Sequence, residues 1–592
     1  MGYPYAKPSG AGGNGAGRAR GLRSDRWVVG SDEVALEHRV ALASAGVPVR
    51  PTGGRPLIGI SDSASDLNPC NLPLRDLVPA VREGVEEAGG LPVVFPVMSL
   101  GEDLMKPTAM LYRNLVAMEI EETLRSYPLD GVVLLANCDK TVPAALMGAA
   151  STGLPALVVT GGSRPPCSFR GRRLGTGTDL WRLWDLRREG ELDDAAWAEL
   201  EACLASARGA CNTMGTASTM AVLCEVLGFS LPGSSTVPSG DPRLLDVARS
   251  AGRRVVELVR EDTGLDRVCT DASVRNALVV LNAIAGSTNA VLHLAALCGR
   301  LGLDFDLEAV DRLGRGVPLV ADVEPAGDGL MPDLDAAGGV PALLGVLAQF
   351  LEGGTVLADG RTLAEVAAAA PPPHGPAIRP LSAPLGSDGS FRVVRGSLAP
   401  DGAVLKRPTA TAQLLKHRGR AVVFHSYEEM RVRVEDPALV VDETSVLVLA
   451  GCGPVGGPGM PEWAMVPVPR KLLEAGVRDV VRVSDARMSG TSFGTVFLHA
   501  APEAAVGGPI GLVEDGDWIE VDADSGRLDL LVEPRELERR RRAFTPPARE
   551  QRGWTALYQT HVTQAPSGCD LDFLRLPPGR RPCLAEPVVG RS

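Results

Sequence analysis

Between residues 56 and 160 the chain alternates short unbroken apolar runs with longer stretches whose apolar residues recur every three or four positions. Leu57-Ile58-Gly59-Ile60, Val93-Val94-Phe95, Gly131–Ala136 and Ala156-Leu157-Val158-Val159 have the first texture. Each is short and lacks the in–out alternation of a half-exposed strand, so the pattern predicts strands covered on both faces. Leu74, Leu77, Val78, Val81, Val85 and Ala88 have the second texture and predict a helix that Gly89-Gly90 ends. Residues 107–126 and Pro143–Ala150 predict two more helices. Repeated strand–helix units predict a parallel sheet layered with helices, with ligands gathering at the carboxyl ends of its strands.

Residues 205–300 read as mostly helical, interrupted at Ala285-Gly286-Ser287-Thr288-Asn289. Residues 367–390 are rich in Ala, Pro and Gly and read as a linker. Beyond them come short β-like runs at Ala421–Phe424, Ser445–Leu449, Val480–Val483, Trp518–Val521 and Leu528–Val532. Arg535–Arg542 reads as a solvated, charged helix. The fold expected is α/β: a flexible N-terminal extension over 1–54, a parallel-sheet domain over 55–380, and a β-barrel-like domain with a C-terminal tail over 381–592. Seven glycines among the first 24 residues underlie the flexible extension.

At 592 residues the chain is too long for a single core. A net charge of −12 argues against a nucleic-acid surface. No apolar run approaches the ~18 residues that span a bilayer, so no membrane partner is expected. Eleven cysteines, an odd number widely spread, do not form a disulfide framework and suggest a reducing cytoplasm. Cys203, Cys224, Cys269 and Cys298 lie among helical apolar residues and read as packing groups.

Three other cysteines sit in polar, turn-forming loops: Cys70, Cys138 and Cys211. Cys138-Asp139-Lys140 ends an apolar run, placing a soft ligand, a hard ligand and an amine at a strand mouth. Three thiolates suggest an iron–sulfur cluster with one iron left open, although their wide spacing is a weak signal beside ferredoxin motifs. Asp139 suits a hard ion such as Mg²⁺. Lys140 reads equally as its charge partner; as a metal ligand it must be neutral, which costs about 4.6 kcal/mol at pH 7 unless it is covalently modified. Gly456-Gly457-Pro458-Gly459-Met460-Pro461 reads as a tight loop presenting Glu462. Ser484–Thr491 offers Arg487 for a substrate carboxylate and two hydroxyls, Ser489 and Thr491.

Cys138-Asp139-Lys140-Thr141-Val142-Pro143-Ala144 with Gly148, and Asp485-Ala486-Arg487-Met488-Ser489-Gly490, resemble the two signatures of the dihydroxy-acid and sugar-acid dehydratases, the IlvD/Edd family. The resemblance runs from Gly21–Ser24 to Asp570–Leu574. It implies a 2Fe–2S cluster on Cys70, Cys138 and Cys211. It also implies Mg²⁺ held by Glu102, Asp139, Glu462 and a carbamylated Lys140, Ser489 as catalytic base and Thr491 beside substrate. The expected activity is hydro-lyase: a 2,3-dihydroxy acid loses water to give a 2-keto acid. Pro107–Leu115, Leu498–Ala505 and the ending His561–Phe573 resemble pentonate dehydratases more than the branched-chain biosynthetic dihydroxy-acid dehydratase, which is the alternative. A non-catalytic iron–sulfur sensor is the alternative of another class. The resemblance also implies a homodimer or homotetramer. One departure is Ala285, which replaces the first glycine of the family's Gly-Gly-Ser-Thr-Asn.

Overall fold

The computed structural model describes residues 21–591. Four strands, β1 (Leu57–Asp62), β2 (Leu91–Pro96), β3 (Gly131–Leu135) and β4 (Ala156–Val159), form a parallel sheet in the order β2-β1-β3-β4. In β1, β3 and β4 the continuous apolar runs are explained by burial on both faces, whereas β2, at the edge of the sheet, is only partly covered and leaves Val94 exposed. Leu57, Val132, Leu134 and Val158 face one core, while Ile58, Ile60, Val133, Leu135 and Val159 face the other. Helices Val78–Glu87, Met110–Ser126 and Thr141–Ala150 follow the first three strands. The last begins two residues before Pro143, which sits in its first turn, where a missing N–H costs nothing.

Between β4 and the helix Thr216–Val226 the chain makes an excursion. It holds a two-residue hairpin, β5 (Ser168–Phe169) with β6 (Arg172–Arg173), and helices Thr178–Arg188 and Asp194–Leu204 around a small core of Phe169, Leu174, Leu192 and Leu200. Cys203 is not a lone packing group as expected. It forms a disulfide with Cys167 across this core. Helical periodicity could not show it, because Cys167 lies 36 residues earlier in a loop. Cys224, Cys269 and Cys298 are buried and free, as their surroundings predict.

The C-terminal sheet has eight strands in the order β14-β13-β9-β10-β11-β12-β8-β7. They are β7 (Phe391–Val394), β8 (Gly402–Lys406), β9 (Lys416–Phe424), β10 (Val446–Leu449), β11 (Val481–Ser484), β12 (Val496–Ala501), β13 (Trp518–Asp522) and β14 (Arg527–Leu531). All eight send side chains into one core, among them Val394, Leu405, Val423, Val448, Val483, Phe497, Ile519 and Leu530. The two edges meet where Leu528 N–H donates to Arg395 O at 2.8 Å, so the sheet nearly closes into a barrel. β9 to β12 run parallel, and Leu447, Leu449, Val480 and Leu498 bury their outer face.

Two expectations change. Residues 1–20 lie outside the described residues, but the extension is ordered from residue 21. Asp25–Val28 and Glu33–Ser44 are helical, Trp27 is buried, and Asp130 accepts Ser24 N–H at 2.9 Å. The 367–390 linker is docked rather than free: Ala321 bridges Ile378, and Leu319 N–H donates to Gly386 O at 2.8 Å. Among the described residues no helix is long and apolar enough to cross a membrane.

Candidate active site

The loops after β1, β3 and β4 converge at the carboxyl edge of the parallel sheet, and asparagines tie them together. Asn71 accepts the backbone N–H of Cys138 at 2.8 Å and of Asn137 at 3.2 Å. Asn137 donates to Cys70 O at 2.7 Å and Gly162 O at 2.9 Å. Asn68 accepts Cys70 N–H at 3.2 Å and donates to Leu100 O at 2.9 Å, drawing in the loop that carries Glu102. Ala210 N–H donates to Gly162 O at 3.0 Å, which brings in Cys211. The three loop cysteines, far apart in sequence, therefore gather in one place. The Cys138 thiol is pushed well up by its hydrogen bond with Cys70 and by burial. Burial and Cys70 push Cys211 up as well. Mutual repulsion of this kind is what a coordinated metal relieves, since a coordinating thiol is deprotonated outright. The residues present fit a thiolate-held cluster.

Beside the sulfurs, carboxylate oxygens of Glu102, Asp139 and Glu462 lie within 4.8 Å of one another, the one such convergence of potential ligands among the described residues. The fully buried Lys140 stands among them. Its Nζ hydrogen-bonds Asp139 and lies 3.2 Å from Glu462 Oε1 and 3.5 Å from Glu102 Oε2. Glu102 Oε2 is buried with no hydrogen-bond donor. A buried carboxylate oxygen that faces two other acids and has only the Lys140 charge at 3.5 Å, with no hydrogen bond, suits a hard divalent ion. Burial raises the Glu102 carboxyl to about 7, Lys140 pulling the other way. Glu462 is held below its usual range because Lys140 and Arg487 outweigh its burial.

Glu462 reaches this place from the other domain. Its loop passes so close to the helix Met110–Ser126 that a Cβ on Gly459 would lie 2.5 Å from Leu111 N, and Gly459 has φ +86°. Arg487, expected to bind a substrate carboxylate, is turned inward. Its Nε donates to Met460 O at 2.7 Å, and its terminal nitrogens donate to Glu462 at 2.8 Å, Thr108 at 3.0 Å and Asn289 at 3.2 Å. With no exposed surface it positions Glu462 and has no free fork for substrate. Sequence reading missed this because an arginine in a loop shows its charge but not its partners.

Ser489 is the single residue from Val481 to Ser492 that is not buried. Its Oγ lies 3.0 Å from Thr491 Oγ1. Thr178 Oγ1 donates to Thr491 O at 2.8 Å, so the excursion walls this side. Asn289 Nδ2 links Glu462 Oε1 at 2.8 Å with Met488 O at 3.2 Å, one residue before Ser489. Asn71, Thr108, Arg164 and Asn289 were not read from the sequence as site residues. Only Asn71, next to Cys70, and Asn289, in the Ser-Thr-Asn motif, carried a local signal.

A family model described as Dihydroxy-acid/6-phosphogluconate dehydratase N-terminal matches residues 55–366, and its C-terminal counterpart matches residues 376–569. The chain belongs to this dehydratase family. It is 46% identical to the L-arabonate dehydratase of Azospirillum brasilense, over 93% of this chain and 97% of the relative. It is 44% identical to the 6-deoxy-6-sulfo-D-gluconate dehydratase of Pseudomonas putida, over 94% and 96%. A dihydroxy-acid dehydratase of Methanothermobacter thermautotrophicus is 37% identical, over 90% and 97%. The chain is thus a dehydratase, a hydro-lyase, and both halves of the dehydratase contribute to the site: sulfurs, Glu102 and Asp139 from one, Glu462 and Ser489 from the other.

Proposed function

We propose that this dehydratase acts on a sugar acid, converting a 2,3-dihydroxy acid of pentonate size to its 2-keto-3-deoxy acid. The observation that carries the reading is the adjacency of two ligand sets on one loop: Cys138 meets Cys70, while Asp139 meets Lys140, Glu102 and Glu462. Cys70, Cys138 and Cys211 would hold a 2Fe–2S cluster. Glu102, Asp139 and Glu462 would hold Mg²⁺, with Lys140 joining them once carbamylation turns its amine into an oxygen donor. When bound, these groups supply Lewis-acid charge at adjacent substrate carbons.

The remaining steps belong to the chain. Ser489 Oγ, as its alkoxide, takes the C2 proton and becomes the neutral hydroxyl, and Thr491 orients it through the 3.0 Å contact. The C3 hydroxyl departs as water by taking up the proton that Ser489 has gained, which returns Ser489 to its alkoxide, and the enol left behind tautomerises to the ketone. Arg487 and Asn289 keep Glu462 in place throughout. The sugar-acid choice rests on the substrates named for the two relatives at 44–46% identity. A cytoplasmic setting and a homodimer or homotetramer complete the proposal.

The test is a substrate panel on anaerobically reconstituted enzyme with Mg²⁺, using pentonates, 6-deoxy-6-sulfogluconate and dihydroxyisovalerate, with 2-keto acid as the readout. Pentonate turnover is expected to dominate; strong preference for the branched acid would overturn the substrate assignment. Ser489→Ala should lower turnover by about 10²-fold or more with the cluster retained. A protein that binds iron and sulfide yet dehydrates none of these acids would be a sensor instead. Intact mass of Mg²⁺-loaded protein should show one added CO₂, lost in Lys140→Gln.

A further inference from the structure

Cys70 and Cys138 are only 5% and 4% exposed, and their neighbourhood holds Glu102, Asp103, Asp139 and Glu462. Placing thiolates there adds negative charge to a buried, already acidic site. Lys140 and Arg487 are committed to the carboxylates. Arg164 serves the sulfur side instead: burial works against its guanidinium charge, and the electrostatic pull of Cys211, Cys70 and Asp103 outweighs that burial.

Local sequence explains this placement. Pro165 restricts the residue before it to extended backbone, and here that backbone lies alongside the Cys211 loop. Arg164 N–H donates to Ala210 O at 2.8 Å, and its Nε donates to Gly209 O at 3.3 Å. The approach is close enough that a Cβ on Gly209 would lie 2.8 Å from Arg164 N. One residue therefore fixes the segment that delivers Cys211 and brings a permanent positive charge to the sulfurs.

We propose that Arg164 is a positioning residue for the iron–sulfur cluster, holding the Cys211 loop and compensating the charge of the thiolate pocket. This rests on the reading that Cys70, Cys138 and Cys211 carry the cluster. Net charge and hydrogen bonds to sulfur are among the levers that set a cluster's reduction potential. A guanidinium beside the sulfurs favours the more negative, reduced state. Its removal shifts the midpoint to more negative potential.

The experiment compares reconstituted wild type, Arg164→Met and Arg164→Lys for iron and sulfide content, chelator-driven cluster loss, and midpoint potential by spectroscopic reductive titration. Arg164→Met should have a more negative midpoint and faster cluster loss. Arg164→Lys should fall between it and wild type, because an ammonium keeps the charge but not the fork. If Arg164→Met holds no cluster while Arg164→Lys does, the same charge dependence is read as occupancy. Equal midpoints and equal loss rates in all three proteins would overturn the proposal. A wild type that binds no iron or sulfide would instead sink the cluster reading, and the role of Arg164 with it.

Discussion

Ala285 shows how one substitution in a family motif is accommodated. It is fully buried with φ +43°, the left-handed region where glycine is at ease. That conformation costs an L-residue about 1–2 kcal/mol. Against it stand the buried methyl, worth about 0.8 kcal/mol, and the lower unfolded-chain entropy of alanine, about 0.4–1 kcal/mol. The terms nearly cancel, so Ala285→Gly should change stability by less than about 1 kcal/mol in denaturant unfolding. Ala285→Val, β-branched and larger, should destabilise by several times that. A second buried residue stands apart from the site. Lys406, at the end of β8, has no hydrogen-bond partner for Nζ, and burial lowers its amine to about 7. Between pH 7 and about 10.5 the unfolded chain binds this proton more readily than the folded one, so the folded state gains stability as pH rises through that window. The penalty is complete below pH 7. Lys406→Met should therefore stabilise the protein by on the order of 4 kcal/mol at pH 7, at about 1.36 kcal/mol per pKa unit, with the advantage shrinking toward pH 10.5. Equal pH profiles for the two proteins would refute this.

Elements were legible where one texture dominated. Unbroken apolar runs marked β1, β3 and β4 because both faces of each are buried, and the same texture marked β10 and β11; it also marked β2, which lies at the sheet edge and leaves Val94 exposed. β7, β8 and β12 went unread. Arg392 and His499 interrupt the runs of β7 and β12 and Lys406 ends that of β8, yet all three are buried. Charge in the sequence implied exposure that the barrel does not provide. The excursion before Cys211 was equally opaque, because its helices pack on a satellite core rather than on either domain's main core. Its staple is the Cys167–Cys203 disulfide, closing a loop with a sequence separation of 36. Such a loop contributes roughly 3–4 kcal/mol by restricting the unfolded chain. The hairpin end carries this order toward the site: Leu174 N–H donates to Cys167 O at 3.0 Å, and Thr178 four residues later holds Thr491. Reduction, or Cys203→Ser, should speed limited proteolysis within residues 165–205 and raise KM more than it lowers kcat. Unchanged cleavage rates would show that the small core alone orders the excursion.

At the scale of the whole molecule, the change of texture beyond residue 390 announces two domains but not how tightly they are joined. Phe391, Val393 and Val404 of the barrel belong to the same core as Val132 and Leu134 of the parallel sheet. Arg300 reaches from the α/β domain to Asp570 in the C-terminal tail at 2.6 Å. The site lies on this seam, and Arg487 crosses it: Met460 and Glu462 are partners from its own domain, Thr108 and Asn289 from the other. Glu462 depends on this arginine and on Lys140 for compensation of its buried charge. Removing one partner of a buried ion pair costs about 3–5 kcal/mol. Arg487→Met should therefore destabilise the protein by that amount and weaken Mg²⁺ binding together, because the carboxylate that loses its partner is also the one the barrel domain contributes. Arg487→Lys keeps the charge but cannot span four acceptors, so it should recover part of the stability and little of the metal affinity. Calorimetric unfolding with and without Mg²⁺ separates the two effects. An Arg487→Met protein with wild-type metal affinity would mean that the parallel-sheet domain places its ligands unaided, and that the seam matters for stability alone.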